Sequence, residues 1–221
     1  MQVEVLHIGN EREPVVVMDG FTEGNVDRLI EHAMRQSFAR TSPYFPGPRA
    51  KGPMEVLRHR MRDIAYAGQN VFGVESVDIL AHEYSLVTTN PEELQPLQRL
   101  PHFDGLNHQL ALLLYLRPAG QGGTAFFRQR ATGYETVTES RIETYETELQ
   151  RALDTHGLPD GYTVGSSDIF EEIYRVDAVP DRAVLYRGHT LHSGVVSAPS
   201  KITADPTKAR LTLNTFFRVV S

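Results

Sequence analysis

His102 and Asp104 stand two positions apart in Pro101-His-Phe-Asp, and a third candidate ligand, His192, lies far downstream in Leu191-His-Ser-Gly194. In extended chain, residues two apart point the same way, so His102 and Asp104 can reach one ion from a single segment. His192 has to be brought to them by the fold. Two imidazoles and one carboxylate leave three positions open on an octahedral metal, the donor set that suits non-haem Fe(II) chemistry with O₂. Those positions have room for a bidentate 2-oxo acid and O₂. Eighteen positions after His192, Arg210 opens a strand-like run, and Thr212 shares its face. A planar guanidinium beside a hydroxyl suits the distal carboxylate of such an acid. An arginine in an inward-facing row is costly unless an anion meets it.

His-x-acid by itself is weak. With 9 His and 28 acidic residues in 221, about one such triplet is expected by chance. The bland reading of His102 is a loop histidine bonded to Asp104, and that of Arg210 is a salt bridge at a strand end. His189 competes with His192 as the distal ligand; His192 is preferred because it lies deeper, beside Ser193-Gly194. His7, His32, His59, His82, His108 and His156 show no ligand spacing and read as surface or core histidines. Arg117, Arg128 and Arg130 flank the Gly122-Gly-Thr124 region; they would anchor an acidic group or simply be solvated.

The elements that must position these residues are legible in outline. Val3 to Ile8 and Pro14 to Met18 read as short strands. Thr22 can cap a helix over roughly 23–37, with its apolar stripe on Val26, Leu29, Ile30, Ala33 and Met34. Thr41 to Gly52, rich in Pro and Gly, reads as a loop carrying Tyr44 and Phe45. Pro53 is placed to begin a second helix, with Met54, Leu57, Met61 and Ile64 on its buried side. Strands are expected over Val77 to Val87, Gln109 to Leu116, Thr124 to Arg128, Phe170 to Val176, Arg182 to Tyr186 and Leu211 to Val219. The run Gln109 to Leu116 is apolar enough to be buried on both faces. Arg117 to Gly123 reads as a turn, and Ala198 to Lys208 as an extended loop. Thr136-x-x-Glu139 resembles a capping box opening a helix to His156. This inserted helix and the Thr41 to Gly52 loop are expected to cover the mouth of the site.

These strands, with helices mainly before them, imply one domain over residues 1–221. It is mostly β with flanking helices: a jelly-roll core over 77–221 with a helical insertion at about 134–156, supported by N-terminal helices within 1–76. The net charge of −6 argues against nucleic acid or an anionic membrane as partner. The sequence contains no cysteine, so thiolate and disulfide chemistry are excluded. The N-terminus lacks the basic and apolar regions of a signal peptide, and no apolar run is long enough to span a bilayer. A cytoplasmic address is therefore expected. Oligomeric state is left open, a homodimer being one option.

The pieces occur in a particular order: His102-Phe-Asp104, Gly122-Gly-Thr124, Leu185-Tyr-Arg-Gly-His-Thr-Leu-His192-Ser-Gly194, then Arg210-Leu-Thr212. In this the chain resembles the Fe(II)/2-oxoglutarate-dependent dioxygenases over residues 77–219. Together with Tyr44-Phe-Pro-Gly-Pro-Arg-Ala50 and Gly123-Thr-Ala-Phe-Phe-Arg128, it looks like a bacterial, prolyl-hydroxylase-like branch of unknown function. The resemblance implies a double-stranded β-helix, with Fe(II) on His102, Asp104 and His192 and 2-oxoglutarate on Arg210 and Thr212. It also implies use of O₂, oxidative decarboxylation to succinate and CO₂, and attack on a C–H bond of a small molecule or an amino-acid or peptidyl substrate. Asp104 in place of a small residue favours hydroxylation over halogenation. Two other readings stand beside this one: a cupin-like metalloenzyme that does not use 2-oxoglutarate, and a non-catalytic jelly-roll binding module.

Overall fold

The strand Gln109–Arg117 (β5) sets the architecture because both of its faces are apolar. Leu110, Leu112, Leu114 and Leu116 point to one side, and Ala111, Leu113 and Tyr115 to the other. Such a strand is stable only between two layers. The computed structural model describes residues 1–106, 109–118, 122–198 and 202–220, and it supplies both layers. His108 and part of each of the two expected loops, 117–123 and 198–208, lie outside the described residues.

β5 is central in a seven-stranded antiparallel sheet. The other members are Gln2–Ile8 (β1), Glu13–Asp19 (β2), Arg49–Lys51 (β3), Ser76–Val87 (β4), Arg182–Arg187 (β8) and Arg210–Val220 (β10). Their order is β1-β2-β8-β5-β10-β4-β3. Thr124–Gln129 (β6), Phe170–Val176 (β7) and His192–Gly194 (β9) form a second sheet, ordered β7-β6-β9. The two sheets share a core of Val15, Val17, Ala111, Tyr115, Val184 and Tyr186 from the large sheet, with Phe126 and Val176 from the small one. On the back of the large sheet, the helices Val26–Met34 (α1) and Met54–Asn70 (α2) bury Leu29, Ala33, Leu57, Ile64 and Ala67. These pack against the even-numbered leucines of β5 and against Leu211, Leu213 and Phe217 of β10. Each fully buried leucine contributes roughly 1.5–3 kcal/mol. A one-residue slip of β5 or β10 would exchange the two faces.

Several boundaries differ from expectation, each for a local reason. The first helix begins at Val26, because Thr22 accepts a hydrogen bond from the Asn25 N–H one turn before the helix starts. The loop at 41–52 ends in a strand, since Arg49–Lys51 pairs with Glu83–Ser85 of β4. β1 and β2 join the large sheet through the β2–β8 pairing, so the N-terminal segment extends the sheet as well as supporting it with helices. The third helix (α3) spans Ile142–His156 and starts later than the capping-box reading placed it. Thr136 bridges Thr190 in extended conformation and donates its hydroxyl to Glu11, so it is not free to cap.

α3 lies on the outer face of the small sheet, where Tyr145 and Leu149 meet Ala125, Phe127, Leu191 and Val195. Among the described residues, no helix is long and apolar enough to cross a membrane.

Candidate metal centre

The alternation expected of His102-Phe-Asp104 is what the fold uses. Phe103 points away into the outer core and meets the Tyr145 ring edge-on at 5.9 Å, while its two neighbours turn to the opposite side. The segment is tied at both ends. The backbones of His102 and His192 exchange hydrogen bonds of 2.9 and 2.8 Å, and Asp104 N–H donates to the Gly188 carbonyl at 2.7 Å. β9 lies between this segment and β6, where Phe126 pairs with His192. Gly123, just before β6, has to be glycine, because a Cβ there would collide with the Val176 carbonyl of the neighbouring strand. The Gly-Gly-Thr motif is thus a requirement of close strand approach.

His102, Asp104 and His192 converge, with their donor atoms all within 4.8 Å of one another. His192 Nε2 is 3.3 Å from Asp104 Oδ2, and His102 Nε2 is 3.9 Å from Asp104 Oδ1. Ligand atoms at right angles around bonds of about 2.1 Å lie about 3 Å apart, so small side-chain rotations bring these three around one ion. The donor chemistry fits too. His192 Nδ1 is 2.8 Å from the Thr190 carbonyl, to which it can only donate; that fixes the tautomer and leaves Nε2 as the lone-pair donor. The Tyr186 ring packs against the His192 imidazole at 4.8 Å.

The electrostatics describe a carboxylate held between imidazoles. Burial works to raise the Asp104 pKa, but the charge and hydrogen bond of His192, with the charges of His102 and Arg49, hold it below its ordinary value. Burial works to lower His192, and Asp104 outweighs it, so this imidazole sits above its ordinary value. His102 is pushed down by burial and then by His192. Its side chain is 51% exposed, so the downward push is weaker than full enclosure would give. His102 thus forms the solvent side of the cluster and His192, 5% exposed, the deep side.

His189 is not part of the cluster. It lies 3.9 Å from Glu13, and its carbonyl accepts from Val137 N–H. Of the other histidines, His82 is buried against Thr215 and Pro53, and His32 meets the Tyr84 hydroxyl. Arg128 is not solvated: it is committed to Glu135 and Glu171. Arg117 is tied to the backbone carbonyls of Pro206 and Ala209. Arg130 donates to the Ser167 carbonyl.

Arg210 and Thr212 lie on the inner face of β10, the face that also carries Asn214 and Phe216. Arg210 is 5% exposed, yet among the described residues its Nε and Nη2 have no hydrogen-bond partner, and neither has the Thr212 hydroxyl. Burial lowers the Arg210 pKa, and the surrounding tyrosines 115, 162 and 186 partly offset this. The Tyr115 ring lies 5.8 Å from the guanidinium, and its hydroxyl is bonded to Thr124 at 2.7 Å, joining the two sheets beside the arginine. Buried polar groups are normally satisfied. Here a guanidinium edge and a hydroxyl two positions along the same strand are both left without a partner among the described residues. The three tyrosines were not singled out in the sequence; the inward phase of β5 is a signal for Tyr115, while Tyr162 lies in irregular chain with no periodicity to mark it.

A family model described as a family of unknown function (DUF6445) matches residues 1–217. The chain belongs to that family. No curated protein matches it. Among solved structures, the DUF6445 chain is similar to SnoN, described as a non-haem α-ketoglutarate-dependent epimerase of nogalamycin biosynthesis. The identity is 15% and the TM-score 0.52, over 93% of this chain and 78% of that one. HygX from Streptomyces hygroscopicus, crystallised with nickel and 2-oxoglutarate, gives 12% identity and a TM-score of 0.51, over 92% and 82%. The viral collagen prolyl hydroxylase of Paramecium Bursaria Chlorella virus-1, a 2-oxoglutarate complex, gives 10% and 0.50, over 94% and 96%. At these identities the likeness is one of fold.

Proposed function

We propose that this protein is a non-haem Fe(II)- and 2-oxoglutarate-dependent oxygenase built on a double-stranded β-helix. In this reading His102, Asp104 and His192 hold the metal, Arg210 and Thr212 hold the cosubstrate's distal carboxylate, and the product is a hydroxylated small molecule, amino acid or peptidyl residue. The observation that carries it is the pairing of two features where the sheets meet: a convergent His-Asp-His cluster on β9 and the segment bridged to it, and, beside Gly194 of β9, a buried β10 arginine whose Nε and Nη2 have no partner among the described residues. A cupin-like metal site needs only the first, and a binding module needs neither.

When bound, the iron and 2-oxoglutarate would supply the oxidising power, in the balance R–H + O₂ + 2-oxoglutarate → R–OH + succinate + CO₂. The chain's own contributions are positional and electrostatic. Asp104 brings negative charge to offset a divalent cation. The Thr190 carbonyl orients His192. The apolar residues of the inter-sheet core exclude water from one side of the site. Arg210 fixes the distal end of the cosubstrate, so its 2-oxo group has one direction in which to lie.

The test is anaerobic addition of Fe(II) and then 2-oxoglutarate, with visible spectroscopy. A metal-to-ligand charge-transfer band that appears only with both present supports the reading. Metal binding without the band would favour the cupin-like enzyme, and failure to bind metal would favour the binding module.

A further inference from the structure

A second arginine on the same inner face is also incompletely used. Arg49 of β3 pairs in register with Ser85 of β4, and Ser85 pairs with Thr212 of β10. Directly paired residues project to one side of a sheet, so Arg49 shares the face of Thr212 and Arg210. Its Nη1 reaches Glu83 Oε2 at 3.4 Å, and this is the one hydrogen bond found for its side chain among the described residues. Its Nε is buried with no partner. The Phe45 ring lies 4.7 Å from the guanidinium carbon and restrains its plane. The charge of Arg49 is felt at both His102 and Asp104, which puts it on the metal side of the sheet.

This is not the geometry of a finished structural ion pair. A finished structural pair closes the fork, as where Arg182 meets Asp19 with two bonds, of 2.6 and 3.0 Å. Arg49 makes one long contact and leaves its buried Nε without a partner. Nor does it duplicate Arg210. Arg210 is sealed at 5% exposure, whereas the Arg49 side chain is 18% exposed. A deep cradle and a shallow one on a single face fit two different anionic groups.

We propose that Arg49 anchors the substrate, and that the substrate is a free α-amino acid whose carboxylate takes the unpartnered Nε side of the Arg49 guanidinium and whose ammonium group faces Glu83. This rests on the reading of His102, Asp104 and His192 as metal ligands. A planar monoanion matches the guanidinium edge. A phosphate dianion would meet the Glu83 carboxylate beside the same guanidinium. Among the described residues one Glu83 oxygen is unused, and its side chain is 32% exposed, so a cationic donor can reach it. A peptide substrate would lack one or both charges.

The experiment uses the Zn(II)- and 2-oxoglutarate-loaded protein and, as probes, the free L-amino acids with their C-terminal amides and N-acetyl forms. Binding is read by saturation-transfer NMR. At least one free amino acid should bind, and its amide and its N-acetyl form should each bind roughly tenfold more weakly or worse. Arg49→Gln should remove the preference for the acid over the amide, Arg49→Lys should restore part of it, and Glu83→Gln should remove the penalty for N-acetylation. Each Arg49 variant should keep the Fe(II)·2-oxoglutarate charge-transfer band. The proposal is overturned if no free amino acid binds at millimolar concentration, if acid and amide bind alike, or if Arg49→Gln leaves the preference intact. Loss of the band in Arg49→Gln would reassign Arg49 to the cosubstrate. Absence of the band in the unmodified protein would instead overturn the metal reading and this inference with it.

Discussion

Replacing Arg210 with methionine should make the protein more stable when empty and less stable than the parent once 2-oxoglutarate is added. The first half follows from the unfilled cradle. The Arg210 side chain is 5% exposed with two unpartnered nitrogens, and the Thr212 hydroxyl beside it is unpartnered too. A buried unsatisfied polar group costs about 1–3 kcal/mol, and a charged one more. Methionine has similar reach, no hydrogen-bond demand and enough flexibility to fill the space among Tyr115, Tyr162 and Tyr186. Unfolding by urea without ligand should therefore show the variant about 1–3 kcal/mol more stable.

The second half follows from linkage. Two N–H groups on a carboxylate, each worth about 1.5–3 kcal/mol as bonds to a charged group, sum to about 3–6 kcal/mol. That corresponds to roughly 10²–10⁴ in cosubstrate affinity. At 2-oxoglutarate concentrations near 100 times its Kd, the Zn(II)-loaded parent gains about 2.7 kcal/mol; the variant gains almost nothing at the same concentration. The order of stabilities then inverts or closes to zero. A variant more than about 1 kcal/mol less stable when empty, and stabilised by 2-oxoglutarate as much as the parent, would refute the reasoning. It would mean that Arg210 holds the fold together and no anion is needed.

The remaining expectations concern the metal cluster, its support and a buried histidine. His102→Ala, Asp104→Ala and His192→Ala should each reduce Fe(II) or Co(II) binding by calorimetry at least tenfold with unchanged circular dichroism, whereas His189→Ala should bind normally; metal retained in His192→Ala would remove it from the ligand set. Phe103→Ala should cost about 2–3 kcal/mol by denaturant titration, the low side of a phenylalanine truncation because the ring is only partly buried. It should also weaken metal binding, since Phe103 pins the segment between two ligands; normal metal affinity in a destabilised variant would show the pin to be dispensable. His82 is held neutral by burial, its pKa lowered from 6.5 to about 4. Above pH 6.5 it is neutral in both states and contributes no pH dependence; between 6.5 and 4 the unfolded chain takes up a proton that the folded one refuses, so stability falls as pH falls. At pH 5 the loss is about 2 kcal/mol. Urea midpoints at pH 7.5 and 5.0 should therefore fall less steeply in His82→Gln than in the parent, and an equal fall in both would dismiss His82 as the cause.

What the sequence made legible was whatever follows a short period. The two-residue alternation of β10 separated Leu211, Leu213 and Phe217 from the Arg210, Thr212, Asn214 row, and the same alternation put His102 and Asp104 on one side of Phe103. What it left out depends on partners distant in the chain. Arg49 looked like part of a Pro/Gly-rich loop, because a strand of three residues has too little length to display a period, and its pairing with β4 is set by residues 83–85. Thr136 carried a convincing capping signature, but its hydroxyl goes to Glu11, which sits beyond the end of β1. Arg128 read as solvated because Glu135 and Glu171 meet it only once β6 and β7 pair. Both sides of this division bear on function. The inner face of β3, β4 and β10 carries Arg49, Glu83, Ser85, Arg210, Thr212 and Asn214, while the adjoining β5 and β8 carry Ala111, Leu113, Tyr115, Val184 and Tyr186. The apolar half is covered by Phe126 and Val176 of the small sheet. The polar half is too rich in charge to be closed by apolar side chains at tolerable cost. It is the half that holds the two arginines with unpartnered nitrogens, and the charge of Arg49 reaches His102 and Asp104.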